Sequence, residues 1–315
     1  MGKFVALVAL ALAVVIVGPV LLVMMAAGAG SSTSGPTPSA SAAGAAQPTG
    51  GPGTAGIDAA PSVPPTWLPL YEQAAATCPG LSWSVLAAVG TVETGSGRST
   101  APGVWSGANG AGAEGPMQFE PATFAAYATI GPDGARPPSP YDPVDAVYTA
   151  SALLCADGAA SEPTLRAAIT DYNHSNVYVN TVLTLSLALA EDPTVSGTVI
   201  AVLTFAAGQL GTPYLWGGTG PGGFDCSGLA QAAYRAGGIS LPRVAQAQFG
   251  AGPNVSGTST VQPGDLVFFG TGPSGVDHVG LYVGAGEMID APHTGATVRV
   301  ENADWPDLVG VTRPG

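Results

Sequence analysis

The chain has 315 residues, 46% of them apolar, which is room for two ordinary domains with sizeable cores. Eight basic residues against 21 acidic ones give a formal net charge of −13. That balance excludes nucleic acid and an anionic membrane surface as the main partner.

Taken in chain order, the first element is an apolar run at residues 4–27, interrupted only by Gly18 and Pro19 and preceded by Lys3, the sole lysine. As a helix it is about 36 Å long, enough to cross a bilayer with tilt. Residues 1–29 are read as an uncleaved membrane anchor. The small residues "AGAG" at 27–30 leave a cleaved signal segment as the alternative. With Lys3 on the cytoplasmic side, everything after residue 30 is expected outside the cell, either membrane-held by a single pass or secreted. Residues 30–66 are almost wholly Gly, Ala, Ser, Thr and Pro and read as a flexible tether.

Residues 67–192 read as an α-helical domain. "WLPLYEQAAATC", "SWSVLAAVGTVE", "EPATFAAYA", "PVDAVYTASALLC", "SEPTLRAAITDY" and "NVYVNTVLTLSLALAE" each carry helical spacing and are separated by Gly, Pro, Asp or Ser. A short connection, "DPTVSG" at 192–197, leads to a change of texture. Residues 197–315 open with two helices and continue with the β-rich runs "DLVFFG", "HVGLYVG", "EMIDA", "ATVRV" and "LVGVT", an α+β layout.

In an oxidising compartment the three cysteines leave one unpaired. Cys78 with Cys155 is the favoured bridge, because both fall within the helical segment, and Cys226 is then free. On the second helix of the α+β part, Cys226, Leu229, Ala233 and Ala236 fall at i, i+3, i+7 and i+10. The thiol therefore stands at a helix start, where unpaired N–H groups and the dipole favour its nucleophilic form. Asp225, a natural N-cap, opposes this slightly with its own charge.

A nucleophile needs a base, and two of the three histidines, His278 and His293, lie downstream in the same segment. Alternation in "DHVGLYVG" places Val279, Leu281 and Val283 on one face and His278, Gly280 and Tyr282 on the other, with Gly280 leaving room for a ligand. "AGEMIDAPH" can return as the second strand of a hairpin. A turn at Ala285 and Gly286 sets His278 opposite His293; a turn at Gly284 and Ala285 makes them diagonal neighbours. A one-residue slip separates them, and Pro292 is placed to end the ladder early. Asp277 points the other way. The arrangement is that of acyl transfer: thiolate attack by Cys226, proton transfer by His278, orientation by His293.

"GTPYLWGGTGPGGFDCSGL", "QPGDLVFFG", "DHVGLYVG" and "APHTG" resemble the NlpC/P60 cysteine peptidases over residues 197–315. The resemblance implies a papain-like α+β fold, with Cys226 as nucleophile, His278 as base and His293 as third residue. It implies that Tyr214, Asp225 and Ser227 line the site, and that the substrate is a peptidoglycan stem peptide cut beside γ-D-glutamate. No metal and no cofactor is expected.

In the helical domain Leu86, Val89 and Glu93 share a stripe at i, i+3 and i+7, so a carboxylate stands where a core residue is expected. Partial burial there raises its pKa toward that of a general acid. "AAVGTVETGSG", "GAEGPMQFEPATF" and "ITDYNHS" resemble the lysozyme-like fold of soluble lytic transglycosylases over residues 67–190. The motifs depart from the usual pattern at Thr94, where serine is common, and at Pro116, where leucine is. The resemblance implies Glu93 as acid, Gln118 as a cleft residue, and Tyr172 and Asn173 as substrate-positioning residues, with His174 structural. Glu114, Glu120 and Asp171 are open candidates for the second carboxylate of a muramidase, whereas a lone acid suits the transglycosylase route.

The whole layout resembles two-domain wall hydrolases of Gram-positive conjugative elements. It implies a bifunctional, membrane-tethered peptidoglycan hydrolase working beside secretion or conjugation machinery. The alternatives are a peptidase whose helical domain only binds glycan, and a noncatalytic wall-binding scaffold.

Overall fold

The computed structural model describes residues 61–257 and 260–315. The expected span at 1–29 and all but the last residues of the tether at 30–66 lie outside them. Among the described residues no helix is long and apolar enough to cross a membrane.

The helical part comprises α1 (Leu68–Ala75), α2 (Trp83–Thr94), α3 (Pro121–Tyr127), α4 (Pro143–Ala156), α5 (Glu162–Tyr172) and α6 (Asn176–Glu191). Local chemistry sets their ends. Ser82 accepts from the Ser84 amide to start α2, Asp142 from Val144 and Asp145 to start α4, and Ser175 from Tyr178 to start α6. Gly95, left-handed at φ 62°, stops α2 just after Glu93. Helix α2 packs on α6 over a buried seam that includes Leu86, Val89, Val182 and Leu185. Truncating such a leucine to alanine costs about 2–5 kcal/mol. Cys78 and Cys155 are joined in a disulfide that closes a loop 77 residues long. By chain entropy that constraint is worth about 4 kcal/mol.

The second part comprises α7 (Gly197–Gly208), α8 (Cys226–Ala236), the single-turn α9 (Ala245–Gln248) and strands β1 (Asn254–Val255), β2 (Leu266–Gly270), β3 (Val276–Gly284), β4 (Glu287–Asp290), β5 (Arg299–Asn302) and β6 (Leu308–Thr312). They form one sheet, ordered β1-β6-β2-β3-β4-β5, with every pairing antiparallel. Its sequence-expected strand "ATVRV" is split in two. Arg299 onward pairs with β4, while Val298 bonds Gly211 and Thr212 and Ala296 bonds Tyr214, pinning the loop before α8. Alternation sorts the faces: Leu266, Phe268, Val279, Leu281 and Ile289 join the helices, while Val267, Phe269, Tyr282 and Met288 form a smaller cluster behind.

The buried residues of α1 to α8 and the front of the sheet make one continuous cluster. Glu191, at the end of α6, accepts hydrogen bonds from the Tyr282 hydroxyl (2.9 Å) and the Ala285 amide (2.8 Å) in the β3–β4 hairpin. The approach is close at Gly284, where a Cβ would stand 2.9 Å from the Leu187 carbonyl oxygen and φ is +112°.

Candidate active site

Helix α8 begins at Cys226 because Asp225, extended at φ −93° and ψ 174°, caps it through the Gly228 amide at 2.7 Å. The other carboxylate oxygen of Asp225 accepts from the Gly217 amide at 2.9 Å, drawing the glycine-rich loop against the helix start. A side chain at Gly228 would collide with the Gly218 carbonyl, so the loop sits this close only because position 228 is glycine. Arg243 then holds both oxygens of Asp225 and also reaches the Ser227 hydroxyl at 3.0 Å. Burial pushes the Asp225 pKa up, but Arg243 and the two amides outweigh it and hold the carboxyl below its usual range. Cys226 is a free, half-buried thiol. Tyr214 faces it: burial, then the charges of Cys226 and Asp225, raise the tyrosine pKa.

His278 stands near the start of β3, opposite Phe269. Its Nε2–H donates to Asp290 Oδ2 at 2.8 Å, and the indole of Trp305 stacks on the ring with centroids 5.3 Å apart. Burial opposes the imidazolium, yet hydrogen bonds and charge from Asp290 and Cys226 prevail and push the pKa up to about 9. The Asp290 bond fixes the tautomer and leaves the other ring nitrogen to the thiol. Cys226, His278 and Asp290 thus form a thiol, imidazole and carboxylate run whose chemistry suits a nucleophile, a base and an orienting acceptor.

His293 does not take the third place expected of it. The turn is at Ala285 and Gly286, with Gly284 opposite Glu287, but a bulge between Tyr282 and Gly284 shifts the following register by one residue. Beyond it Leu281 faces Ile289, β4 ends at Asp290, and Pro292 carries the chain away. His293 is exposed, its Nδ1 3.0 Å from the Thr294 carbonyl oxygen. The space beside Gly280, read as room for a ligand, is taken by the Met288 side chain. Asp290 was readable in principle, since it follows Met288 by two in a strand that returns beside β3; nothing in the residue types announces the bulge.

In the helical part Glu93 lies in the last turn of α2, half-buried, and accepts a 2.7 Å hydrogen bond from the Tyr178 hydroxyl of α6. Burial dominates over that bond and raises the Glu93 pKa to about 7. Tyr172 stacks on Tyr178 and donates to the Met117 carbonyl at 2.7 Å, so it braces the wall behind Glu93. Gln118, held at φ 51°, bonds Asn109 and Gly115. Asn173 is exposed and turned to the Ser175 amide, and His174 is exposed beside it. The two motif departures meet each other: the Thr94 hydroxyl donates to the Pro116 carbonyl at 2.7 Å. Of the open second carboxylates, Glu120 and Asp171 are exposed, and the half-buried Glu114 lies beside Tyr141, whose hydroxyl donates to the Gly107 carbonyl at 2.9 Å. Tyr178 was missed by sequence reasoning, as were Asp290 and Arg243.

Residues 211–307 match the NlpC/P60 family. Over 115 residues the chain is 45% identical to a probable endopeptidase p60 of Listeria innocua, covering 36% of this chain and 24% of that protein. It is 42% identical over 106 residues to the gamma-D-glutamyl-L-lysine dipeptidyl-peptidase of Bacillus subtilis, covering 33% of this chain and 36% of that protein. Among solved structures, the peptidoglycan hydrolase RipB of Mycobacterium tuberculosis is similar at 35% identity, with 37% of this chain and 64% of that one covered and a TM-score of 0.34. The chain thus spans about a quarter to a third of the length of these curated relatives. The α+β part carries the NlpC/P60 family match across residues 211–307.

Proposed function

We propose that this NlpC/P60 domain is a thiol endopeptidase that cuts peptidoglycan stem peptides beside γ-D-glutamate. The observation that carries the reading is the run from Cys226 through His278 to Asp290, with the imidazole pKa near 9. The sulfur attacks the peptide carbonyl, forming an S–C bond; His278 gives its proton to the departing amine as the C–N bond breaks; water, deprotonated by His278, then releases the acyl group. Tyr214, Asp225 and Ser227 border the sulfur, and the substrate class is supported by what the similar proteins of Bacillus and Mycobacterium are named for. Digestion of purified wall sacculi by the soluble part, with fragments weighed by mass spectrometry, tests it. Peptide cuts that survive Cys226→Ala overturn it.

A second activity is favoured by one observation, the Glu93 carboxyl held near pKa 7 under Tyr178 in the last turn of α2. On this reading residues 67–192 cut glycan strands with Glu93 as acid and Gln118, Tyr172 and Asn173 about the cleft, in a lysozyme-like fold. Anhydro-sugar ends identify the transglycosylase route and reducing ends the muramidase one; sugar cuts that persist in Glu93→Gln remove Glu93 as the acid, and native protein that cuts peptide but no sugar leaves this part a glycan binder. Native protein that cuts neither peptide nor sugar leaves the noncatalytic wall-binding scaffold. Anchorage through residues 4–27, exposure to the cell wall and work beside secretion or conjugation machinery complete the proposal.

A further inference from the structure

Behind Asp290 lies an arrangement that the peptidase reading does not use. Met288 and Asp290 of β4 share a face with Glu301 and Arg299 of β5, paired as Met288 with Glu301 and Asp290 with Arg299. Asp290 has 0% side-chain exposure, and Oδ2 is committed to His278. Its Oδ1 and the Oε2 of Glu301 are both buried, and no N–H or O–H donates to either. The two carboxyls lie within hydrogen-bonding reach of each other. Glu301 Oε1 is taken by Arg299 Nη2 at 2.6 Å. The charged and titratable groups around the pair are thus His278 from β3 and Arg299 from β5; Tyr282, further along the same face of β3, turns its hydroxyl to Glu191.

Two acceptor-only oxygens cannot sit face to face in a dry interior without a proton between them, because like charges there repel and neither gains a hydrogen bond. We propose that Asp290 and Glu301 share one proton, so that Glu301 is a positioning residue that holds Asp290 Oδ1 and thereby keeps Oδ2 on His278. The pair then carries a single negative charge between two cations, Arg299 at one end and the His278 imidazolium at the other. Burial first, and the Glu301 charge with it, raise the Asp290 pKa in the same sense, against the pull of His278. The catalytic run is extended to Cys226, His278, Asp290, Glu301 and Arg299. The inference rests on the peptidase reading only for its effect on turnover.

The test separates the two. Glutamine at 301 can accept from Arg299 with its carbonyl and donate to Asp290 with its amide, reproducing a protonated carboxyl; alanine cannot. Native protein, Glu301→Gln and Glu301→Ala are compared by the pH dependence of Cys226 alkylation with iodoacetamide, which needs no substrate, by the NMR titration of the His278 ring, and by release of stem-peptide fragments. Glu301→Ala is expected to slow alkylation at pH 7 by about tenfold and to displace the His278 midpoint, and Glu301→Gln to recover most of both. Equal loss in both variants overturns the shared proton, since charge and not donation then matters. No loss in either overturns any role for Glu301. Should the alkylation series hold while native protein releases no fragments, the peptidase reading falls and this inference stands.

Discussion

Arg243 grips both carboxylate oxygens of Asp225, at 2.9 and 2.7 Å, on the residue that caps the helix opening at Cys226. The cap that satisfies the helix amides would otherwise set a bare negative charge beside the sulfur. Arg243 cancels it and leaves the amides and dipole to act alone. Arg243→Met is expected to slow iodoacetamide alkylation of Cys226 at pH 7 by about tenfold, with Arg243→Lys recovering only part, because an ammonium cannot match the two-oxygen grip. Native-like alkylation in Arg243→Met would remove this role.

Asp290 and His293 compete for the third place, and the geometry gives it to Asp290. Asp290→Ala is expected to lower kcat for stem-peptide cleavage by about 10²- to 10³-fold, while His293→Ala stays within about threefold of native. The reverse order, read from fragment release under saturating substrate, would restore the histidine.

The His278 pKa of about 9 has a consequence for stability. A cationic group whose pKa is raised on folding adds stability that is fully present below its unfolded value of 6.5 and is lost as pH rises through 9. The difference corresponds to about 3 kcal/mol. Urea unfolding of native protein and His278→Gln from pH 6 to 9.5 should show the native advantage shrinking by that order. A constant gap contradicts the ion pair.

Glu93 works in the opposite chemical sense. A carboxyl whose pKa is raised to about 7 favours folding in its neutral form, so its contribution is present below the ordinary 4.5 and is lost as pH climbs through 7. Glu93→Gln is expected to abolish glycan cleavage yet raise stability at pH 8 by about 1–3 kcal/mol. In native protein, release of sugar fragments should fall about tenfold per pH unit above 7. A variant less stable than native at pH 8 argues that Glu93 is ionised and solvated.

The parts of the site that obey period and spacing were legible: Cys226 at a helix start, His278 on the polar side of its strand, Glu93 in an otherwise apolar stripe. The hairpin turn at Ala285 and Gly286 was one of the two turns the sequence allowed. What failed was arithmetic across a bulge. Ala285 at φ 54° and Gly286 at φ 79° make the turn, which docks on Glu191, and the bulge lies in β3 between Tyr282 and Gly284, outside the reach of any local pattern. Arg243 and Tyr178 were invisible for another reason. Each touches its partner across a separation of 18 or 85 residues, a relationship that only tertiary packing creates.

Helix α6 begins with Tyr178 over Glu93 and ends with Glu191 clasping the β3–β4 turn, whose strands carry His278 and Asp290. Its 16 residues make a stiff rod of about 24 Å. The two centres are therefore set apart like the points of a caliper rather than hung on a string. On the proposed two-activity reading, a polymer threaded across both meets them at one unvarying interval, and the ruler for that interval is cut into a single helix.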